Sequence, residues 1–452
     1  MISASASKHE SNQRAPARTL LKARWVLPIT APALPFGALE LSGDRIKAVL
    51  SAEQAQQRLQ ADDGSLTVRD LGNCIIAPGL INLHTHLEWT AQELRDSSSS
   101  LFDWIPGLMK ESKGWAAEDF LSSSVQGVRR IIASGTSCVL DSAYSGAAAQ
   151  ALSAAGLRAV VALELFGLDE SKSKEILAAW CQKRATLLES GKISPRVSLS
   201  IAPHAPYSVS VPLAKAAFSF AEEHGVPPTM HLAESQVESD WLQSGSAKLD
   251  AFLERAHRLP EGAAKLIPFR ACGRSPVQHL QHHSLLTSSL VAAHVVHLHS
   301  DDVKMLAAAN VKVACCPRSN SRLRNGVAPL RKLMEAGLTL GFGTDSAAST
   351  DDLDVLCEAR FAYNLQRAVD PSFPFSSENA LRQLTYDAAR VLGMEKQIGS
   401  LEPGKLADIA IFNIASAGRF AENQPYDALL YGRTTLKELL VSGMKVGPEP
   451  LY

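Results

Sequence analysis

A (β/α)8 barrel beside a small β domain built from both chain ends is the fold that these 452 residues predict, and three observations predict it. Between residues 77 and 394, strand-like apolar runs alternate with longer helix-like segments, and about eight such units are what a closed α/β barrel needs. A Gly or Asn follows several of the helix-like segments, as helix stops usually do: Gly135, Gly156, Gly225, Asn310 and Gly337. The stretches flanking this block share a third feature, short β-like runs broken by turn residues.

The elements follow in chain order. Residues 1–18 read as a polar, ragged tail. Short β runs at Leu20 to Ile29, Gly37 to Leu50 and Leu66 to Ile76 belong to a first β portion, residues 19–76. Barrel strands are expected at Leu80 to His86, Ser137 to Asp141, Arg158 to Phe166, Val197 to Pro203, Thr229 to Ala233, Leu290 to Val295, Val311 to Cys315 and Leu338 to Asp345. Helices are expected between them at Asp119 to Ala133, Lys174 to Leu188, Pro212 to His224 and Asp301 to Ala309, and after the eighth strand at Leu353 to Val369 and Ser377 to Leu392. The insert Gln236 to Leu286 is polar and irregular, suited to a lid over a barrel mouth. β texture returns in Gly399 to Phe412 and Thr434 to Val446, so residues 395–452 are expected to pair with 19–76. An open doubly wound sheet is the competing architecture, but no GxGxxG follows the first strand.

Composition narrows the class. Lys plus Arg is 45 against 46 Asp plus Glu, a formal net charge of −1, which argues against a nucleic-acid or membrane-surface partner. No apolar run approaches the roughly 18 residues of a membrane span. The seven cysteines are widely spaced, odd in number and without a CxxC pair, so buried thiols in a reducing, cytoplasmic setting are expected. The N-terminal stretch lacks the apolar core of an export signal.

The chemistry starts at HTHLE, residues 84–88. Side chains two apart on a strand share a face, so His84 and His86 project together, either as half a metal site or as two core histidines. HLAE at 231–234 closes another strand, placing His231 at its end and Glu234 where the chain leaves it. His294 ends LVAAHV, and GTDS delivers Asp345 at the tip of the last strand. Barrel enzymes build their sites at these C-terminal strand ends, and histidines with a carboxylate suit a divalent ion such as zinc.

APGLINLHTH at 77–86, APHAPYS at 202–208, HLAES at 231–235, AHVVHL at 293–298, CPRSNSRLRNGVAP at 316–329, GFGTDSAAS at 341–349 and GSLEPGKLADIAIF at 399–412 together resemble the amidohydrolase superfamily, in its aminohydrolase and chlorohydrolase branch. The resemblance spans nearly the whole chain. It implies a (β/α)8 barrel with a composite β-sandwich, His84, His86, His231 and Asp345 as metal ligands, and Glu234, His294 and Asp345 as catalytic groups around a metal-activated water. Binuclear members carry a lysine on strand four. Here that strand ends at His204, which favours one divalent ion per chain, Zn2+ first, with Fe2+ and Mn2+ accepted by the same donors.

The implied reaction is hydrolytic deamination of a ring carbon, with Glu234 as proton donor to the ring nitrogen and then to departing ammonia. His204 and Glu88 are the candidate substrate contacts. The alternatives are a structural histidine between two prolines for His204 and a carboxylate orienting a ligand histidine for Glu88. HTHLEWT, HAPYSV and HLAES followed by ESDWLQSG look most like the aminodeoxyfutalosine deaminases of menaquinone synthesis. Methylthioadenosine/S-adenosylhomocysteine deaminases, guanine deaminases and s-triazine hydrolases remain alternatives, as does a non-catalytic structural member. His279, His282 and His283 lie in the insert and are read as bystanders. Trp104 and Trp241 suit either base stacking or core packing. A small heterocycle is the expected partner. Members of the family are often homodimers.

Overall fold

The computed structural model describes residues 18–92, 100–414, 424–431 and 434–447, so the expected N-terminal tail lies outside the described residues up to its last position, Arg18. The barrel strands run in the expected order: β1 Leu80–Thr85, β2 Thr136–Ala143, β3 Arg158–Leu165, β4 Val197–Pro203, β5 Thr229–Leu232, β6 Val291–His294, β7 Lys312–Cys315 and β8 Leu340–Phe342. β1 to β4 pair in parallel as one half of the wall, and β5 to β8 as the other.

Two seams join the halves. At one, the His231 amide donates to the His204 carbonyl at 2.9 Å. At the other, the Asp345 amide donates to the His84 carbonyl at 2.8 Å, within a parallel bridge between Thr85 and Asp345. This closure excludes the open doubly wound sheet.

The helices form where the apolar spacing predicts. Ala117–Ala133 buries Phe120, Val125, Val128, Ile131 and Ile132 on one face. Val211–His224 carries Pro212 in its first turn, where a missing N–H costs nothing, and stops at Gly225 with φ +62°.

The two chain ends share a sheet. Ile409–Ile414 pairs antiparallel with Cys74–Pro78 on one side and with Thr434–Val441 on the other, and Trp25–Val26 extends the same sheet. A second sheet orders Arg45–Leu50, Ala38–Ser42, Arg18–Lys22 and Leu66–Asp70. Leu21, Leu39 and Ile46 of this second sheet pack against Val26, Ile76, Ile409 and Ile411 of the first, giving a β-sandwich. Arg18, read from sequence as the end of the tail, already pairs with Ser42 in this domain.

Three expectations need correction. The insert is not irregular: it folds into helices Gln236–Gln243, Ala247–Ala256 and Pro276–His282. Trp241, Leu242, Leu249, Phe252, Leu253 and Phe269 form its own core, which also covers Phe102 and Tyr207. Trp241 is fully buried there and donates to Asp250 at 2.8 Å, so it packs instead of stacking on a ligand. The helix expected over 377–392 breaks into Ser377–Arg382 and Tyr386–Val391, because the Leu384 carbonyl between them accepts from the Ile81 amide of β1 at 2.8 Å. Finally, the returning strand starts at Ile409 and not at Gly399. No helix among the described residues is long and apolar enough to cross a membrane.

Gly343 shows how tightly the β1–β8 seam is drawn. A Cβ on it would lie 2.5 Å from the His84 Cβ and 2.6 Å from its amide nitrogen. Gly343→Ala is expected to cost about 1–3 kcal/mol of stability by overpacking. Urea unfolding measures that loss, and metal content of the folded fraction should fall with it because His84 must shift.

Candidate metal centre

β1 delivers its histidines by simple alternation. Thr85, between them, turns the other way and donates to Asp141 Oδ1 of β2 at 2.7 Å, while the Leu87 amide donates to the same oxygen at 2.9 Å. This pins the end of β1 and leaves His84 and His86 facing the barrel mouth. One ring nitrogen from each of His84, His86 and His231 lies within 4.8 Å of the others. His86 Nε2 is 3.2 Å from His231 Nε2. Asp345 Oδ1 is 3.6 Å from His84 Nε2 and 3.5 Å from His86 Nε2.

These donors fit a divalent cation. Nitrogens at about 2.0–2.1 Å from a tetrahedral ion stand roughly 3.4 Å apart, close to the spacings observed. Both ring nitrogens of His84 are buried without a hydrogen bond, a costly state for polar atoms unless something else satisfies them. Burial holds His84 well below the usual histidine range and lowers His231 too, so both are neutral, the form that ligates metal. His231 Nδ1 lies 2.9 Å from the His204 carbonyl, which can only accept. The proton is therefore on Nδ1, and Nε2 presents its lone pair to the cluster.

Asp345 is held on its far side. Ser319 Oγ donates to Oδ2 at 2.5 Å and Ser349 Oγ at 3.2 Å, leaving Oδ1 toward the imidazoles. Asp345 and His294 both have left-handed backbone, φ +62° and +71°. Side-chain-bearing residues rarely adopt it, and such positions cluster at functional sites.

Glu234 follows Ala233, whose φ of +51° turns the chain out of β5. Its two neighbouring amides are anchored: Ala233 and Glu234 N–H donate to Glu238 at 3.2 and 2.9 Å. Asn325 donates to Glu234 Oε1 at 3.0 Å, and His294 Nε2 stands 3.8 Å from the same oxygen. Burial pushes the Glu234 carboxyl up to about 8, with His231 offsetting part of the shift. His294 Nδ1 is 2.8 Å from Asn320 Oδ1, which places its proton there and leaves Nε2 free to accept one.

His204 sits at the edge of the cluster, its ring 4.7 Å from that of His231 and 4.6 Å from Phe166, with Nδ1 2.8 Å from Ser208 Oγ. Glu88, expected at the substrate or behind a ligand histidine, is brought to neither place. Its carboxylate accepts from the Ser145 amide and hydroxyl and from the Gly146 amide at 2.6–2.9 Å. It therefore neutralises the start of the helix Ala147–Ala154, whose unbonded N–H groups attract an anion. His279 packs beside Phe269 in the insert, and the three insert histidines form no ligand group among the described residues.

Sequence reading gave no role to Ser319, Asn320, Asn325 or Glu164. The first three lie in the CPRSNSRLRN string just past β7, where the signal was a run of polar residues after a strand tip. Glu164 lies near the end of β3, 3.9 Å from His86 Nδ1, and shares a second group of potential donors with His204 and His231. His231 has only one free ring nitrogen, so it can serve one of the two groups at a time.

Two substitutions test this geometry. His84→Ala is expected to abolish stable metal retention. Ser319→Ala, which only frees Asp345 to rotate, is expected to weaken zinc affinity on the order of 10–100-fold. Competition against a chromogenic chelator reads both.

Comparison with known proteins agrees with this picture. Residues 75–439 match the Amidohydrolase family. A 5-methylthioadenosine/S-adenosylhomocysteine deaminase from Syntrophobacter fumaroxidans is 31% identical over 399 residues, covering 87% of this chain and 84% of that protein. An adenosine deaminase from Xanthomonas campestris, solved with bound zinc, superposes with a TM-score of 0.78 at 24% identity, over 95% of this chain and 93% of the other. Helicobacter pylori aminofutalosine deaminase superposes at 0.76 with 20% identity, over 95% and 100%. The strand-end histidines, the closed barrel and a match across most of the chain place this protein in the amidohydrolase family, as an enzyme of the class that hydrolyses carbon–nitrogen bonds, to which its deaminase relatives belong.

Proposed function

We propose that the protein is a zinc-dependent aminohydrolase that replaces the 6-amino group of an adenine-type nucleoside by a carbonyl, releasing ammonia. The observation that carries this reading is the cluster of the His84, His86 and His231 imidazoles with Asp345 Oδ1 against it and a protonatable Glu234 beside it. A divalent ion held there would bring the pKa of a bound water down to about 7 and so supply a nucleophile at neutral pH.

The protein's own groups would do the rest. His294 Nε2 is oriented to accept a proton from that water, because Asn320 holds the proton on Nδ1. Asp345 Oδ1 faces the same space and cannot turn away while Ser319 and Ser349 hold Oδ2. Glu234, fixed through Asn325 and buried enough to carry a proton near neutrality, is placed to protonate the ring nitrogen beside the reacting carbon. Left as a carboxylate, Glu234 would take the remaining proton of the added hydroxyl and pass it to the departing amine, and the proton held on His294 Nε2, 3.8 Å away, would restore its acid form. One ion per chain is the stoichiometry we propose, supported by the single free ring nitrogen of His231, which the groups containing His86 and Glu164 would otherwise share.

The similarity to methylthioadenosine/S-adenosylhomocysteine deaminases makes those 5′-substituted nucleosides the first substrates to assay. Aminodeoxyfutalosine is the second, favoured by HTHLEWT and by HLAES with ESDWLQSG, and it would place the enzyme in menaquinone synthesis. A non-catalytic role fits poorly with an intact donor set and a buried, oriented Glu234.

Ammonia release and the purine absorbance change, measured across methylthioadenosine, S-adenosylhomocysteine, 6-aminodeoxyfutalosine, adenosine, guanine and melamine, test the reading. An adenine nucleoside should have the highest kcat/KM, and preference for guanine or melamine would refute the substrate class. Glu234→Gln is expected to keep one zinc and lose about 10²–10⁴-fold in kcat. Prolonged chelation should remove activity, and zinc should restore it.

A further inference from the structure

Glu164 carries a carboxyl group that the chemistry described so far does not use. Along β3, Val161, Leu163 and Leu165 pack outward against the helices. Val160 and Ala162 pack instead with Ala202 and Ala314 of β4 and β7. Two residues further along those strands, the same faces carry Glu164, His204 and Cys316, by the period of two. The Glu164 side chain is only 5% exposed, yet no hydrogen bond to it is made by any described residue. His86 Nδ1 stands 3.9 Å from Glu164 Oε1, too far for a hydrogen bond. Lys183 attracts it electrostatically, but the ammonium is spent on the Tyr144 carbonyl and makes no ion pair with it.

A buried carboxyl group to which no described residue hydrogen-bonds is normally found where something else bonds it. Metal ligation is disfavoured, since the group it shares with His204 would take the one free nitrogen of His231 away from His86 and His84. Glu234 reaches the site from the other side, beside His294 and Asn325. A ligand whose reacting ring lies against Glu234 would extend toward His204, Phe166 and Glu164.

We propose that Glu164 is a specificity-determining residue that accepts a hydrogen bond from an O–H or N–H donor on the substrate, a sugar hydroxyl or a ring amino group. The inference rests on the deaminase reading above, because it assumes a ligand with one end at Glu234.

The test uses the full-length zinc enzyme with Glu164→Ala and Glu164→Gln. kcat/KM and calorimetric affinity are measured for adenosine, 2′-deoxyadenosine, 3′-deoxyadenosine and 2,6-diaminopurine riboside, with zinc content determined in parallel. Both variants should keep one zinc and lose on the order of 10–100-fold in kcat/KM, mostly through KM, as expected when a buried hydrogen-bond partner of the ligand is removed. If the donor is a sugar hydroxyl, the preference for adenosine over one deoxy analogue collapses in both variants. If it is a ring amino group, the deoxy ratios stay unchanged and the loss is confined to 2,6-diaminopurine riboside, which alone of the four carries an amino group away from the reacting carbon. A kcat/KM within threefold of the unaltered enzyme in both variants overturns the proposal. So does a loss that follows zinc content and is recovered by added zinc, since Glu164 would then act only through His86. Two zinc ions in the unaltered enzyme, falling to one in Glu164→Ala, would also overturn it. Failure of the deaminase reading shows separately, as absence of ammonia from every nucleoside with the unaltered enzyme. The calorimetric arm then still decides whether Glu164 recognises the ligand.

Discussion

The backbone hydrogen bonds that close the barrel are made by the residues that surround the candidate metal centre. His231 bonds His204 across one seam, and Asp345 bonds His84 across the other. Fold and site are thus one constraint: the seams cannot slip by a residue without moving the imidazoles out of range of each other. A period-two strand slipped by one residue would turn each of these side chains to the opposite face. Gly343 is part of the same arrangement, since only a residue without Cβ lets β8 approach β1 closely enough for Asp345 to reach the histidines.

Around that constraint the protein spends polar groups on orientation. Ser319 and Ser349 hold one oxygen of Asp345, Asn320 sets the proton on His294, and Asn325 fixes Glu234. Three of these four residues, Ser319, Asn320 and Asn325, sit within ten positions after β7, so one short segment positions three functional groups contributed by different strands. The left-handed backbone at Ala233, His294 and Asp345 belongs to the same logic. Each of these residues lies at a strand tip and turns the chain sharply, so the side chain or its neighbour enters the mouth instead of continuing along the wall. Such backbone persists only where the surroundings over-determine it, and closure of the barrel supplies that determination.

Glu88 and Glu234 show how environment divides the work of two buried carboxylates. Glu88 is surrounded by N–H donors at the start of a helix and is fully satisfied by the protein. Glu234 has one amide donor and a histidine at 3.8 Å, so burial dominates and its proton is held near neutral pH. Both residues stand a short step after a histidine in their strings, and nothing local distinguishes them. The distinction comes from β2 and the loop after it, which bring Ser145 and Gly146 to Glu88 across 57 residues of sequence.

Much of the fold was legible from residue order alone. Strand runs and helix stops repeat with the period of a barrel, and two histidines separated by one residue on a strand must share a face. The alternation and the stop signals are local properties, carried by residues close together in the chain. What lay outside local reach was everything decided by contacts between distant segments. The insert read as irregular because its helices are short and amphipathic toward each other and toward Phe102 and Tyr207, partners invisible to a sequence window. The helix over 377–392 breaks to give its carbonyl to β1. Ser319, Asn325 and Glu164 acquire meaning only when β3, β5, β7 and β8 are brought to one mouth. The sequence by itself determined which side chains could stand at strand ends; which of them face one another, and which are already satisfied, is decided by barrel closure, because hydrogen bonding and burial depend on neighbours that are far apart along the chain.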